Sequence, residues 1–289
     1  MRIVFIHGRA QQRKNSKKLQ SEWEAAWKKG LRLAKIPAPR TIDAVLPYFG
    51  DRLVDLIKKI EAPLLVDIIT RGGSLQSKAA RLQTQMMYEI ARNAGLTDQK
   101  IQSYYSGEPQ ERGLENTAWV RAIAKALDKT PLRGRVVDLV THDVSVYLTN
   151  SGVRSQVDRI VEKELDQSPC VVVAHSLGTV VAYNVLFNAS AALDVRLFVT
   201  VGSPLGLNAV KNNLDGPLAK PVCVSRWFNA RDKRDIVAAV PLDSKHFSVS
   251  PPISNKSDVD NHTSNRHGIE GYLDDPEVAR KIFQALTAK

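Results

Sequence analysis

The serine at position 176 lies where a buried strand and a helix are expected to meet. Residues 170–174 (Cys-Val-Val-Val-Ala) form an apolar, β-branched run, and a stretch of small and apolar residues follows the serine. A serine on such a strand-to-helix turn is a nucleophile elbow, which needs small residues two positions before and after it. Gly178 meets this need, and Ala174 replaces the more usual glycine. The pattern predicts an activated Ser176 hydroxyl, with the Leu177 N–H directed at charge that develops during acyl transfer.

The first strand of the chain ends beside a second set of candidate groups. Residues 2–6 (Arg-Ile-Val-Phe-Ile) are mostly apolar and lead into His7 and Gly8. A glycine here lets the backbone come close to a reaction centre, and the N–H of Arg9 becomes a candidate second oxyanion donor. Each such donor is worth about 3 kcal/mol in the transition state. His7 is expected to orient this loop through a hydrogen bond rather than to act as the general base.

A carboxylate that orients a catalytic histidine is expected after a strand that follows the nucleophile. Residues 221–229 are predicted as that strand, and the loop after it contains Asp232 and Asp235. Asp235 is followed by Ile-Val, which resembles the pattern at that acid position, so it is preferred and Asp232 is the alternative. The aspartate that is not used would belong to a solvated loop of alternating charges.

Three histidines, His246, His262 and His267, follow these aspartates and are candidates for the general base. His267 lies in the last loop before a terminal helix, which is predicted at about residues 276–288. In the chain order serine, acid, histidine, that loop carries the base, so His267 is preferred to His262. It would take the Ser176 proton and return it to the leaving group.

These residues resemble the active-site motifs of the α/β-hydrolase superfamily, and specifically serine hydrolases of the lipase and esterase type. The resemblance implies a catalytic triad of Ser176, Asp235 and His267, in which the carboxylate holds the tautomer of the histidine. It also implies an oxyanion hole formed by the Leu177 and Arg9 N–H groups, and an acyl-enzyme that needs no cofactor. The matching segments are residues 5–8 (Phe-Ile-His-Gly), 174–178 (Ala-His-Ser-Leu-Gly), 235–237 (Asp-Ile-Val) and His267.

The fold that this resemblance implies is α/β, with a mainly parallel sheet flanked by helices. The match covers the first strand and most of residues 168–289. Because the chain starts on the His7-Gly8 strand, the first two strands of the usual sheet are absent, and a trimmed sheet is expected. The length of 289 residues suits one domain spanning residues 1–289.

A mostly helical insertion is predicted at residues 71–133. Two roles are open for it: a cap that excludes water above Ser176, or a side subdomain packed against the sheet edge. Apolar periodicity predicts the helices of the middle of the chain, and glycine-rich or polar stretches predict the breaks between them. The helices are expected at residues 51–60, 75–93, 114–127, 136–148 and 153–165, with breaks at 68–74 and 150–152.

Positive charge is concentrated at the beginning of the chain. The net charge is +11, and residues 1–40 contain eleven Lys or Arg against two Glu. Basic residues there interleave with Trp23 and Trp27 at the spacing of an amphipathic helix. This helix starts either near Ser16 or at the capping-box pattern of residues 21–24 (Ser-Glu-Trp-Glu).

The basic helix has two interpretations. It is a surface helix with its tryptophans on the sheet, or a region that attracts anionic substrates or an acidic membrane surface. Nucleic acid is disfavoured as a partner, because the sequence has no recognised binding motif and its aromatic residues are sparse.

Composition narrows the class of protein further. The two cysteines lie in predicted buried strands and give no disulfide framework, as in a reducing compartment. The sequence has no metal-ligand cluster of short regular spacing and no Gly-rich phosphate loop. It also has no signal segment before the first strand and no apolar run near the roughly 18 residues that a membrane span needs. A cytoplasmic protein without metal or cofactor is therefore expected.

Three functions follow from the sequence as hypotheses. The main one is hydrolysis of a carboxylic ester, including lipid, small-ester or thioester substrates. The alternative is a catalytically silent hydrolase scaffold used for binding, although a scaffold has no need for all three triad residue types together. A third is an interaction protein acting through the basic helix. Charge reversal at Lys28, Lys29 and Arg32 is expected to abolish the binding of such a protein.

Overall fold

Six parallel strands form one sheet at the centre of the protein. The computed structural model describes residues 1–8, 14–60, 62–70, 74–105, 113–129 and 133–288. The strands are β1 (Arg2–Ile6), β2 (Ala44–Val45), β3 (Cys170–His175), β4 (Val195–Val201), β5 (Trp227–Ala230) and β6 (Ser254–Lys256). Their order across the sheet is β2-β1-β3-β4-β5-β6, and every neighbouring pair is parallel. The predicted α/β class with a parallel sheet is confirmed.

Helices flank the sheet on both faces. They are α1 (Ser16–Leu33), α2 (Gly50–Lys59), α3 (Leu65–Thr70), α4 (Lys78–Asn93), α5 (Asp98–Gln102), α6 (Thr117–Leu127), α7 (Arg133–Thr149), α8 (Ser151–Glu162), α9 (Leu177–Asn188), α10 (Asn208–Lys211), α11 (Glu270–Leu273) and α12 (Pro276–Thr287). Among the described residues, no helix combines the length and apolar character needed to cross a membrane.

Successive residues of the central strands belong to two separate hydrophobic cores. In β1, Ile3 and Phe5 pack on one face, whereas Val4 and Ile6 pack on the other. Side chains alternate across a strand, so a strand buried on both faces reads as a continuous apolar run. One core is covered by α1, α11 and α12, and the other by helices from the middle of the chain together with α9. The sheet is therefore sandwiched between two helical layers.

Helix α1 packs through a stripe of residues four positions apart. The buried residues along it include Leu19, Trp23, Trp27 and Leu31, which therefore share one helix face. The helix begins at Ser16, where the Asn15 side chain accepts a hydrogen bond from the Lys18 N–H at 3.0 Å. The earlier of the two predicted starts is the observed one, because Asn15 supplies the cap.

The helices of residues 71–133 share a core with one face of the sheet. Buried residues of α4 and α6, such as Met86 and Ile123, belong to the same cluster as Val4 and Val172. Glu89 on α4 accepts hydrogen bonds from the N–H groups that start α10, at 2.7 and 2.8 Å. These contacts attach the helices to the sheet-bearing body, and the cap role stays a prediction.

Several predicted boundaries were wrong. The break predicted at residues 68–74 begins too early, because α3 continues through Thr70. The strand predicted at residues 221–229 is observed only as β5, since residues 222–223 form a turn. The short strand β6 and the short helix α5 were missed, because three to five residues carry little periodic signal.

Candidate active site

Ser176 forms the turn between β3 and α9. Its backbone has φ 54° and ψ −127°, a conformation that non-glycine residues rarely adopt and that costs about 1–3 kcal/mol. Close packing holds the turn: a Cβ on Gly178 would lie 2.3 Å from the Ile6 carbonyl oxygen. A Cβ on Gly8 would lie 2.8 Å from the Ser176 Cβ. The loop after β1 therefore passes directly beside the serine, as the sequence predicts.

The structure brings Ser176, His267 and Asp235 into one chain of hydrogen bonds. The Ser176 Oγ lies 2.9 Å from His267 Nε2, and His267 Nδ1 lies 2.7 Å from Asp235 Oδ2. All three side chains are buried. With Nδ1–H donating to the carboxylate, the neutral imidazole presents its Nε2 lone pair to the serine hydroxyl. This arrangement suits removal of the hydroxyl proton by His267.

The Asp235 carboxylate is held through both of its oxygens. Its Oδ1 accepts hydrogen bonds from the Val237 N–H at 3.0 Å and the Ala238 N–H at 3.4 Å. Its Oδ2 accepts from His267 and from the hydroxyl of Tyr272, each at 2.7 Å. Four donors around one carboxylate fix its direction.

The alternative acid, Asp232, stabilises the loop that carries the histidine. Its Oδ1 accepts from the Arg234 N–H at 2.8 Å, and its Oδ2 accepts from the Asn261 N–H at 3.0 Å and from Arg266 at 3.3 Å. Asp232 is therefore buried in a hydrogen-bond network, not solvated. Of the two aspartates, Asp235 is the one that contacts the His267 ring.

The other two late histidines lie elsewhere. His262 Nε2 lies 2.7 Å from Asp274, and its side chain is more than half exposed. His246 Nδ1 lies 2.7 Å from Asp243. His267 is thus the histidine of the three that contacts Ser176.

The His267 loop is fixed by side chains of its own sequence. The Asn261 amide donates to the Gly268 carbonyl at 2.8 Å, and the Gly268 N–H donates to the Thr263 hydroxyl at 2.9 Å. The His267 N–H donates to the Asn265 side chain at 3.1 Å. Arg266 has φ 54°, a left-handed conformation that turns the chain just before the histidine. These bonds hold His267 in position before any substrate binds.

His7 has the orienting role that the sequence predicts. Its Nδ1 donates to the Gly8 carbonyl at 2.7 Å, and its Nε2 accepts from the Phe49 N–H at 3.1 Å. The ring also stacks on Phe49, with centroids 3.9 Å apart. Burial lowers the pKa of His7 to about 4, so the ring is neutral and ties the loop after β1 to the start of α2.

Two residues beside the triad are also tied to it. His175 Nε2 donates to the His267 carbonyl at 2.7 Å, and burial, together with the charge of His267, lowers the pKa of His175 well below 6.5. The contact of Tyr272 with Asp235 was missed, because a tyrosine on a four-residue helix gives no sequence signal for such a contact.

One of the two predicted oxyanion donors, Leu177, lies among the residues that the structure describes. Leu177 is the first residue of α9, where the helix offers its N–H no acceptor in the preceding turn. Arg9 lies outside the described residues. Leu177 directly follows Ser176, so its N–H lies beside that residue.

Comparison with models of protein families, with curated proteins and with solved structures finds no match for this chain. The described residues also contain no group of three or more His, Cys, Asp or Glu side chains that could hold a metal ion. Both cysteines, Cys170 and Cys223, are free thiols in the protein interior. The hydrogen bonds and burial of the site are therefore the basis on which its chemistry is inferred.

Proposed function

We propose that this protein is a serine hydrolase of the α/β-hydrolase type that cleaves a carboxylic ester. The observation that carries the proposal is the hydrogen-bonded series Ser176–His267–Asp235, built on a strained strand-to-helix turn. The serine and the histidine are 91 residues apart in the chain, and the histidine and the aspartate are 32. A triad is recognised by such geometry and roles.

The fold supports the same family. The strand that carries Ser176 lies in the centre of the sheet, directly beside the strand that ends in His7 and Gly8. Fold alone does not determine a substrate, so the proposed reaction rests on the geometry of the site.

The proposed reaction begins with attack of the Ser176 oxygen on the substrate carbonyl carbon. His267 Nε2 takes the hydroxyl proton as the new C–O bond forms, and Asp235 stabilises the imidazolium. The Leu177 N–H and the predicted Arg9 N–H donate to the oxyanion. The intermediate collapses as His267 protonates the leaving alcohol, which gives an acyl-enzyme.

Water then completes the cycle. His267 removes a proton from a water molecule that attacks the acyl carbon, and the second tetrahedral intermediate releases the acid and restores Ser176. Every proton is carried by His267, so this sequence of steps needs no metal or cofactor. Esters, including lipid esters and thioesters, are the expected substrates, and amides would require protonation of a poorer leaving group.

Intact-mass labelling with a fluorophosphonate tests the proposal. The wild type should gain a single adduct, Ser176→Ala should gain none, and His267→Ala should react at least about 100-fold more slowly, because the base is lost. Ser145→Ala is the matched control, since Ser145 is also buried but lies on α7 and donates to the Thr141 carbonyl. A folded wild type without an adduct, or an adduct on Ser176→Ala, would exclude the proposed mechanism.

The same assay separates the two aspartates. Asp235→Asn should lower the labelling rate by roughly 10³–10⁴-fold, because the amide no longer favours the required tautomer of His267. Asp232→Asn should lower the melting temperature and change the labelling rate by less than about 10-fold, because Asp232 supports the loop backbone. A larger rate loss in Asp232→Asn than in Asp235→Asn would reverse the assignment of the acid.

A second candidate function is an interaction through the basic helix, without turnover. It is favoured by one observation: Lys17, Lys18 and Arg32 of α1 are exposed. Anionic substrates or an acidic membrane surface are the partners that this charge would attract. The labelling experiment and the charge reversals described in the Discussion distinguish this function from hydrolysis.

A further inference from the structure

Tyr272 contacts the same carboxylate oxygen as the catalytic histidine. The Tyr272 hydroxyl donates to Asp235 Oδ2 at 2.7 Å, and His267 Nδ1 lies 2.7 Å from that atom. The Asp232 N–H in turn donates to the Tyr272 hydroxyl oxygen at 3.3 Å. The hydroxyl is therefore oriented on both sides, with its proton directed at Asp235.

The surroundings of Tyr272 favour the protonated hydroxyl. Its side chain is fully buried, and burial together with the Asp235 charge raises the pKa of Tyr272 well above 10. The other oxygen of Asp235 is occupied by two backbone N–H groups. Tyr272 and His267 thus share Oδ2.

The surroundings of the ring leave it little freedom to move. A Cβ on Gly202 would lie 3.1 Å from the Tyr272 ring, and Gly202 has φ 58°. The His175 ring lies beside Tyr272, with centroids 6.2 Å apart. Because His175 also binds the His267 carbonyl, the tyrosine and the histidine are held by one common neighbour.

We propose that Tyr272 is a positioning residue that sets the pH at which His267 takes up a proton. A second donor on Oδ2 withdraws negative charge from it, so Asp235 attracts the imidazolium less strongly than it would with His267 as its sole partner on that oxygen. His267 then stays unprotonated, and able to act as a base, down to a lower pH. The catalytic consequence rests on the proposed hydrolase function, but the hydrogen bond does not.

The other titratable and charged groups near His267 are all retained in the Tyr272→Phe variant. Asp232 and Arg266 belong to its loop network, and His175 is neutral. The Arg231 guanidinium donates to the Ala238 carbonyl and interacts electrostatically with Asp235 and Asp232. Removal of one hydroxyl leaves all of these groups present.

The test is a nitrogen-15 NMR titration of the histidine rings in wild type and in Tyr272→Phe, with His267→Ala to assign the signal. The His267 midpoint should rise by about half a pH unit or more in Tyr272→Phe. Tyr183→Phe is the matched control: Tyr183 is also buried, donates to the Ala219 carbonyl on the other face of the sheet, and should leave the midpoint unchanged. An unchanged or lower midpoint in a folded Tyr272→Phe would overturn the proposal.

A second substitution keeps the proposal testable if Tyr272→Phe does not fold. Site-specific 3-fluorotyrosine at position 272 retains the ring and hydroxyl but is a stronger donor, so the His267 midpoint should move below that of wild type. No movement, or movement upward, would contradict the proposal. A fluorophosphonate adduct at Ser176 is measured on the same samples. Its absence with a shifted midpoint would reject the hydrolase function while supporting the role of Tyr272.

Discussion

Two buried histidines flank the triad and act through their neutral rings. His7 donates to one backbone group and accepts from another, so both of its ring nitrogens are used without a charge. Burial lowers the pKa of His7 to about 4, and lowers that of His175 well below 6.5. Neutral neighbours leave Asp235 as the charge in direct contact with His267. The same burial makes the stability of the fold depend on pH in acid.

The free energy of unfolding should fall as the pH is lowered from 6.5 towards 4. In this window the unfolded chain binds a proton at His7 that the folded protein resists, so folding is favoured by higher pH. One such group contributes a slope of up to about 1.4 kcal/mol per pH unit. Asp158 acts in the opposite sense, because burial raises its pKa to about 6. Urea unfolding at pH 7, 6 and 5 should show that the free energy of unfolding falls less steeply with decreasing pH for His7→Gln than for wild type.

The control for this measurement is His246→Gln. His246 is partly exposed and bonded to Asp243, so its substitution should leave the acid-side slope at least as steep as in wild type. A slope for His7→Gln equal to that of wild type would show that His7 takes up a proton equally readily in the folded and the unfolded protein, and would contradict the role described here.

At the scale of elements, α1 is joined to the two helices that follow the His267 loop. Its Gly30 is the point of closest approach, where a Cβ would lie 2.6 Å from the Leu273 carbonyl oxygen and 2.7 Å from the Ala279 Cβ. The Trp27 indole donates to the Ala279 carbonyl at 3.1 Å. These contacts fix α11, and Tyr272 with it, against the sheet.

Gly30→Ala should therefore destabilise the protein. Alanine normally stabilises a helix interior by about 1 kcal/mol relative to glycine, but forced overpacking here costs about 1–3 kcal/mol, and the carbonyl at 2.6 Å is backbone that cannot rotate away. The expected result is a lower melting temperature together with slower labelling of Ser176. Gly113→Ala is the control, since a Cβ there meets nothing within 4 Å. A Gly30→Ala variant as stable as wild type would mean that α1 can separate from α11.

At the scale of the whole molecule, the charge is unevenly distributed. Residues 1–40 carry eleven of the 41 Lys and Arg residues and two of the 30 acidic ones. One of these lysines, Lys29, is paired with Asp274 at 2.6 Å. Lys29 therefore stabilises the fold and is not a suitable residue for a charge reversal that tests binding. The exposed basic residues of α1 are better suited.

We predict that the protein binds acidic vesicles through α1. Reversal of Lys17, Lys18 and Arg32 to Glu should reduce co-sedimentation with vesicles containing about one third phosphatidylserine by at least about 10-fold, since each basic residue near such a surface is worth about 1 kcal/mol. Reversal of Lys58, Lys59 and Lys125, three exposed lysines of α2 and α6, makes the same change in net charge and should preserve more of the binding. Equal binding by the two triple variants, or none by wild type, would reject α1 as the contact surface.

The sequence by itself predicted the residues of the proposed catalytic site and the class of the fold. Ser176, His267 and His7 were located by local patterns: a strand that ends in a serine flanked by small residues, a histidine in the last loop, and a histidine at the end of the first strand. Continuous apolar runs predicted buried strands, because strands buried on both faces lose the alternation of polar and apolar residues, and the family resemblance implied that the sheet is mainly parallel. Short-range features of this kind depend only on neighbouring residues, so they can be identified without knowledge of the fold.

Only the tertiary structure decided which of two similar residues takes each place. Asp232 and Asp235 differ by three positions in one loop, and the direction of each side chain depends on Asn261, Arg266 and Tyr272, which lie far along the chain. The shared use of Asp235 Oδ2 and the contact of His175 with the His267 carbonyl likewise arise where separate loops meet. Such contacts depend on the relative positions of segments that the sequence separates by tens of residues. Packing of the two helical layers on the sheet sets those positions.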